Sequence, residues 1–561
     1  MTAGPASATD LASRVRDWIA DDPDPSARAE LQRLLDAEAG DELARRFAAE
    51  LTFGTAGLRG RLGAGPARMN RATVRRATAG LVRFLKEEVA GAAAAGVVIG
   101  HDARHGSAEF AEETARVITG AGLRALTLPP RVPTPVLSFA TRRLSCAAGV
   151  MITASHNPPQ DNGYKVYLGD GAQIVPPVDD AIAKRIRAVT ALSDLPLGSL
   201  GEALGDAVVD AYVQTIARLA RADDQPHLEV VYTPLHGVGR DVLLAVFERA
   251  GFAPPRVVAA QGLPDPDFPT VARPNPEEPG ALDLALAEAK ASRADLILAN
   301  DPDADRLAVA IPNQRGGWRI LTGDEVGALL AYYMLTHRPT QVPAVVASTV
   351  ASSTLLGRMA DAFGAEHRET LTGFKWIMHS ASDRRHDPLL FGYEEALGYA
   401  VDDAVRDKDG ISAALLIVCA ALEARRDSVD LGRRLDQLAV RFGLHATRQV
   451  VAELASGAHD ADAGEIMRRL RTRPPRQLLD EPVTETEDLL AGGRLPRSDV
   501  MIFRCRERIR AVVRPSGTEP KLKMYLQVVE DMRYGAADAV WHRASQRLDA
   551  LAAELQQVVL A

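Results

Sequence analysis

Short β-branched runs that end in loops rich in Gly, Asp, Ser or Pro, each leading into the next element, recur along most of this 561-residue chain. "GVVIGHDARHGS", "GVMITASHNP", "LEVVYTPLHGVG", "ADLILANDPDADR" and "AVVASTVASS" all fit that template, with helical segments expected to follow. Parallel strands need a crossover between them, so strand, loop and helix in alternation predict α/β domains with largely parallel sheets. In such sheets ligands meet the loops at the carboxyl ends of strands, where Ser155 and Asp301 both fall. The first fifty residues read as helix, from the apolar spacing in "ASRVRDWIA" and "DELARRFAAELTFG". Beyond about residue 445 the alternation gives way to "DVMIFRCR", "IRAVVRPSG" and "KLKMYLQVV", a run of strands closed by a helix from near Ala536. That end reads as a smaller α+β domain. "LSDLPLGSLGEALGD" (192–206) has the composition of a linker, and the Pro-rich stretch 264–280 reads as a long ordered loop inside a unit. The length implies roughly three or four domains.

Composition narrows the class. Hydrophobic residues make up 47% and charged residues 25%, a soluble globular balance. The net charge of -8 argues against a general nucleic-acid binder, so any anion site must concentrate its basic residues locally. Cys146, Cys419 and Cys505 are widely spaced, which predicts neither a disulfide framework nor a zinc site. "ISAALLIVCAAL", from Ile411, is too short to span a bilayer and reads as a buried helix. With no charged-then-apolar signal pattern at the N-terminus, the expectation is a cytoplasmic protein without membrane or nucleic-acid partners.

The loop after "LILAN" carries Asp301, Asp303 and Asp305 at alternate positions. Three carboxylates this close are costly without a cation, and a hard, oxygen-liganded divalent ion suits them. An EF-hand would need Gly at loop position six and Glu at twelve; Arg306 and Pro312 stand there, so magnesium fits better than calcium. Arg306 would suit an anion bridging to the metal. The apolar strand before the loop argues against a merely solvated acidic turn. A rival reading is a haloacid-dehalogenase-type phosphatase with Asp301 as nucleophile, although its D-x-D-x-T/V pattern would want Thr or Val where Asp305 stands.

"VVRPSGTEPKLKMY" gathers Arg514, Ser516, Gly517, Thr518 and Lys521 in one turn between strands. Gly517 allows close backbone approach, the hydroxyls and amides donate, and Arg514 can chelate two oxygens: a phosphate cradle. Pro-Ser-Gly is also an ordinary turn former, but the flanking basic residues favour the cradle. "FGYEEALGY" places Glu394 and Glu395 in an apolar setting, where carboxylates could accept from vicinal hydroxyls of a polyol. Lys375 of "TGFKW" and Lys408 of "RDKDG" are ambiguous taken singly.

Together with "TASHNP" (153–158) and "DPDADR" (301–306), these motifs make the chain resemble the α-D-phosphohexomutase superfamily of phosphoglucomutases, phosphomannomutases and related enzymes. The motifs run in family order from "FGTAGLRG" to "RPSGTEPKLKMY". The wording of "FGTAGLRG", "DNGYKVY", "LTGFKW" and "EEALGY" is similar to the branch containing phosphopentomutase and bacterial phosphosugar mutases. The resemblance implies four domains around a central cleft, three similar α/β units and a C-terminal α+β domain, with boundaries at 1–205, 206–322, 323–445 and 446–561. It implies that Ser155 carries the phosphoryl group and that magnesium binds Asp301, Asp303 and Asp305 and touches Ser155. His156, Lys165 and Arg59 become candidates for proton transfer and charge neutralisation. Arg306, Lys375, Glu394 and Glu395 would face the sugar, and Arg514, Ser516, Gly517, Thr518 and Lys521 its non-reacting phosphate. Hexose 1,6-bisphosphate would be the activator, a sugar phosphate the substrate, and the protein a monomer or homodimer.

The implied activity interconverts sugar 1-phosphate and 6-phosphate through a phosphoserine enzyme and a bisphosphorylated sugar. One departure bears on the sugar: many members have G-E-x-S-G in the sugar loop, and Ala396 stands at the serine position. Phosphopentomutase and hexose-1,6-bisphosphate synthase are therefore alternatives, beside the aspartyl phosphatase. A non-catalytic sugar-phosphate-binding regulator would predict damage at Ser155 or the triplet, and both are intact.

Overall fold

Three helices, α1 (Ala8–Asp21), α2 (Pro25–Asp36) and α3 (Gly40–Phe47), open the chain in the computed structural model, as their apolar spacing predicts. Asp24 caps α2, accepting from the Ser26 amide, with Pro25 in the first turn where its missing N–H is harmless. Val15, Ala27, Leu31, Leu43 and Phe47 close on one another and on Ala64, so the extension is stapled to the loop that follows it. The described residues are 8–54, 56–221, 227–313, 316–338, 342–381, 389–453, 459–516, 521–532 and 537–560. They fall into two units, Met1–Pro312 with Asp403–Leu416, and Asn313–Asp402 with Ile417–Ala561.

The first unit holds two sheets. One contains β1 (Leu58–Arg61), β2 (Val97–His101), β3 (Ala125–Thr127), β4 (Ala148–Ile152), β5 (Asp161–Leu168) and β6 (Glu202–Ala203), in the order β1-β5-β4-β2-β3-β6. Strands β4, β2, β3 and β6 run parallel, whereas β5 is antiparallel to both β4 and β1. All five residues of β4 are buried, the continuous apolar run expected of a strand covered on both faces. The stretch 192–206 is not wholly a linker: Glu202 and Ala203 pair with Leu126 and Thr127 and extend this sheet. The second sheet contains β7 (Val230–Thr233), β8 (Arg256–Val257), β9 (Leu296–Asn300) and β10 (Leu307–Pro312), ordered β10-β9-β7-β8 in this unit.

Both motif loops depart from the strand-then-helix expectation. The serine loop leads from β4 into antiparallel β5, and the acidic loop from β9 into antiparallel β10, with Leu307 opposite Asn300. Each is a hairpin. "LAVAIP" and "GYKVYL" are β-branched or aromatic runs without a helix cap, which is why a strand follows. The Pro-rich stretch 264–280 contains turns only and belongs to the first unit, as expected of an ordered loop.

The second unit begins with β11 (Trp318–Ile320) and a sheet of β12 (Val345–Thr349), β13 (Glu366–Thr370), β14 (Leu389–Glu394) and β15 (Gly398–Ala400), ordered β13-β12-β14-β15. Its first three strands are parallel, and β15 folds back antiparallel on β14. "ISAALLIVCAAL" lies in a buried helix, Gly410–Arg426, whose residues up to Leu416 belong to the first unit. The C-terminal sheet is antiparallel throughout: β16 (Leu444–Glu453), β19 (Glu485–Asp488), β20 (Met501–Cys505), β21 (Ile509–Pro515) and β22 (Lys521–Glu530), in the order β16-β22-β21-β20-β19. A small hairpin of β17 (Gln477–Leu478) and β18 (Glu481–Pro482) stands beside it. The last helix, Ala537–Leu560, packs on this sheet through Val540, Ala544, Leu548, Leu551, Leu555 and Val559, a single stripe at helical spacing. Ala536, expected near its start, lies outside the described residues. Three α/β sheets and a C-terminal α+β domain are thus present, as expected. No helix among the described residues is long and apolar enough to cross a membrane.

Candidate active site

Ser155 sits three residues beyond β4 in the left-handed region, φ 51°, with 3% of its surface exposed. A non-glycine residue there marks a backbone held by its surroundings. The holding groups are visible. The Ser155 amide donates to Thr153 Oγ1 at 2.9 Å, and Thr153 in turn donates to Asp102 at 2.7 Å. Arg104, in the loop after β2, donates to the carbonyls of Ser155, of Asn157 (2.7 Å) and of Pro158 (2.9 Å). Burial presses the Arg104 guanidinium pKa down, while Asp102, 3.2 Å away, opposes that pressure. Gly163 of β5 admits no side chain, since a Cβ there would lie 2.5 Å from the Thr153 carbonyl and 2.8 Å from that of Leu58. Arg59 Nη1 on β1 donates to Asn157 Oδ1 at 3.0 Å, joining the same loop.

The acidic hairpin closes on the serine. Ser155 Oγ donates to Asp301 Oδ2 at 2.5 Å and lies 3.3 Å from His156 Nδ1. Asp301, Asp303 and Asp305 are all buried, with one carboxylate oxygen of each within 4.8 Å of the others. Lys165 Nζ reaches Asp303 Oδ2 at 2.8 Å and Asp305 Oδ2 at 3.2 Å, while Thr134 Oγ1 donates to Asp303 Oδ2 at 2.7 Å. Arg306 donates its amide to Asp301 Oδ1 at 3.1 Å and its guanidinium to His156, and pairs with Glu277 at 3.3 Å.

The charges distribute unevenly. Burial, then Asp305 and Asp303, push the Asp301 carboxyl well above its ordinary pKa. Burial would raise Asp303 too, but Lys165 outweighs it and holds that carboxyl below the usual range. Burial and Asp303 raise Asp305 against the pull of Lys408 and Lys165. Burial alone would lower the Lys165 ammonium, yet Asp303 and Asp305 keep it above its ordinary value. Asp303 Oδ1 and Asp305 Oδ1 are buried and accept no hydrogen bond among the described residues. Buried carboxylate oxygens left so, beside an acid forced toward protonation, fit the ligands of a metal ion.

The remaining candidates belong to the second unit. Lys375 lies in the helix Phe374–Ser380 and is half-buried. Glu394 ends β14 and is half-buried, as is Glu395, whose Oε2 accepts from Thr349 Oγ1 at 3.0 Å and Ser352 Oγ at 3.1 Å. Burial and the neighbouring Glu394 raise the Glu395 carboxyl to about 7. Arg514 stands on β21, its Nε buried and without a hydrogen bond among the described residues. Tyr525 lies between these groups: burial and Glu395 lift its phenol to about 12, while Arg514 opposes the rise. Ser516 is half-buried, and its amide donates to the Lys521 carbonyl at 2.8 Å. Lys521 Nζ lies 3.5 Å from Glu453, its cross-strand neighbour. Gly517 and Thr518 lie outside the described residues.

Sequence reasoning did not place Arg104, Thr134 or Asp102 at the site. "HDAR" after a strand could have prompted the first and last; nothing in "VPTPV" singles out Thr134. Lys408, ambiguous by sequence, lies 3.3 Å from Asp305 Oδ2, carried there by the segment 403–409 of the same unit. Its neighbours anchor that segment: Asp407 accepts from Tyr167 (2.7 Å) and Asp409 from Tyr212 (2.9 Å).

Residues 50–193, 210–316 and 322–439 match the models for phosphoglucomutase/phosphomannomutase alpha/beta/alpha domains I, II and III. A Haemophilus influenzae protein named "Probable phosphomannomutase" is 43% identical over 467 residues, covering 82% of this chain and 92% of that one. A Schizosaccharomyces pombe protein named "Probable phosphoribomutase" is 36% identical over 92% of this chain and 93% of its own. The phosphoglucomutase parafusin of Paramecium superposes with a TM-score of 0.70 at 18% identity, over 91% of this chain and 96% of that chain, a likeness of fold.

Proposed function

This chain belongs to the phosphoglucomutase/phosphomannomutase family and is a phosphosugar mutase, and from that premise we propose that Ser155 is its phosphoryl carrier. The observation that carries the reading is the 2.5 Å hydrogen bond from Ser155 Oγ to Asp301 inside a buried, fixed loop. Phosphoryl transfer leaves little covalent work to protein groups, so positioning and charge neutralisation dominate. The Arg104–Asp102–Thr153 network supplies the positioning. A magnesium ion held by Asp301, Asp303 and Asp305 would supply charge neutralisation beside the phosphoserine. Lys165, kept cationic by two carboxylates, is a charge neutraliser; that pairing makes it a poor base. Arg306 and His156 stand where they can donate to phosphoryl oxygens, and Arg59 steadies Asn157.

In one half-reaction a sugar hydroxyl oxygen bonds to phosphorus as the Ser155 Oγ–P bond breaks, and in the other Ser155 Oγ bonds to phosphorus as a sugar O–P bond breaks. Each time the attacking hydroxyl gives its proton to a nearby base and the leaving oxygen takes one up. Glu394 and Glu395 would take the sugar, and Arg514, Ser516 and Lys521 its second phosphate, which a mutase needs and a hydrolase does not. The bisphosphorylated sugar would turn over between the two half-reactions, and added hexose 1,6-bisphosphate would prime the serine. The leading substrate is a hexose 1-phosphate/6-phosphate pair. A pentose 1-phosphate/5-phosphate pair is the second reading, favoured by Ala396 in the sugar loop and by nearly full-length likeness to a phosphoribomutase-type relative. A coupled mutase assay on glucose, mannose, ribose and deoxyribose 1-phosphates, with hexose 1,6-bisphosphate present, decides between them. Turnover of ribose or deoxyribose 1-phosphate, with neither glucose nor mannose 1-phosphate turned over, would overturn the hexose assignment.

A further inference from the structure

Three residues on adjacent strands of the C-terminal sheet form one polar row. Thr447 on β16 stands opposite Gln527 on β22, and Gln527 opposite Arg510 on β21, so all three share a face. Each grips the neighbouring α/β domain within the same unit. Thr447 Oγ1 donates to Asp324 Oδ2 at 2.6 Å. Gln527 makes two bonds to Thr354, accepting from its amide and donating to its hydroxyl, both at 2.8 Å. Arg510 donates to the carbonyls of Ser352 (2.9 Å) and Val350, and pairs with Glu369 at 2.6 Å. Arg510 and Gln527 are each only 5% exposed.

What they grip is the loop after β12. Thr349 at the end of β12 and Ser352 of that loop hold the Glu395 carboxylate, and Ser352 Oγ also accepts from the Glu395 amide at 3.2 Å. Asp324, gripped by Thr447, holds the Ser353 amide at 2.6 Å and Tyr393 of β14 at 2.9 Å, two residues before Glu395. Along β21 the same face carries Arg510, Val512 and Arg514 in alternation. Val512 packs with Tyr525, Val350 and Ala351 in a small apolar cluster. One strand therefore carries Arg514 near its end and, four residues earlier, clamps the backbone that fixes Glu395.

We propose that Arg510, with Gln527 beside it, is a positioning residue that sets the sugar loop in register with the phosphate-binding strand. It touches no substrate. Its guanidinium replaces the flexible spacing of two loops with a strand-to-loop clamp made of two carbonyls and one carboxylate, geometry an ammonium cannot reproduce. The proposal rests on the reading that Glu394, Glu395 and Arg514 bind the substrate.

The test is steady-state kinetics of the full-length protein, on whichever of glucose, mannose or ribose 1-phosphate the wild type turns over best. Arg510→Lys keeps the charge opposite Glu369 but loses the double-carbonyl clamp; Gln527→Met removes the grip on Thr354 without burying a charge. In each variant that purifies folded, KM should rise about tenfold, about the worth of one misaligned hydrogen bond to the sugar, while kcat stays within about threefold. A purely structural role would lower kcat through loss of folded enzyme and leave KM alone. If Arg510→Lys does not fold, Gln527→Met decides; an unchanged KM there overturns the proposal. Glu394→Gln serves as the control. If it raises KM while the other two do not, positioning alone has failed; if it too leaves KM unchanged, the substrate reading has failed with it.

Discussion

Lys165 donates to Asp303 at 2.8 Å from within the fold, and the same ammonium reaches Asp305 at 3.2 Å. One buried cation thus pairs with Oδ2 of both carboxylates, and among the described residues their Oδ1 atoms accept no hydrogen bond. Asp303→Asn removes a ligand charge and also unpairs Lys165. Magnesium affinity should fall by at least about tenfold, and turnover with it. Calorimetric titration with magnesium in the presence of substrate measures this. Unchanged affinity would mean the triplet is a structural turn.

Glu395 gives a pH signature. Its carboxyl is raised from 4.5 to about 7, by burial first and by Glu394 second. A raised acid stabilises the fold fully below its unfolded pKa, and that contribution is lost as pH rises through the folded value. The melting temperature should therefore decline between about pH 5 and 8. Because the residue is half-buried, the decline should be only about 2–4 °C, the shift that goes with about 1 kcal/mol. Glu395→Gln should flatten it. Melting curves across that window check this, and a mutant slope equal to wild type would refute it.

Arg514 is the strongest anion contact available on β21, since a bidentate guanidinium combines charge with two directed hydrogen bonds. Its removal should cost about 2–3 kcal/mol in phosphate binding, roughly a 30- to 150-fold weakening. Arg514→Ala should raise KM and make turnover depend more steeply on added bisphosphate, because the intermediate escapes more often. Lys521→Ala should act in the same direction more weakly, its charge being shared with Glu453. A lowered kcat with unchanged KM and activator dependence would show that β21 does not hold the phosphate.

The parts of the site legible in sequence are those written contiguously. Ser155–His156 and Asp301–Arg306 each lie within one loop at a strand end, and their order in the chain carries the chemistry. Parts assembled across the chain were not legible. Lys408 reaches Asp305 from about a hundred residues away, and Thr134 reaches Asp303 only because the helix it begins packs there. The row Thr447–Gln527–Arg510 exists through strand register, which no local pattern announces. In the fold, alternation revealed the sheets but not that the serine and acidic loops turn back as hairpins. It also hid β6, two residues inside a stretch with the composition of a linker.

Ser155, rather than Asp301, is assigned as the carrier of the phosphoryl group. Phosphopeptide mass spectrometry of protein incubated with glucose 1,6-bisphosphate and magnesium tests it directly, with and without hydroxylamine treatment. The expected result is a hydroxylamine-stable phosphate on the peptide containing Ser155, absent in Ser155→Ala, which should also lose mutase turnover while keeping its fold. A hydroxylamine-labile phosphate on the peptide containing Asp301, with Ser155→Ala still active, would contradict it.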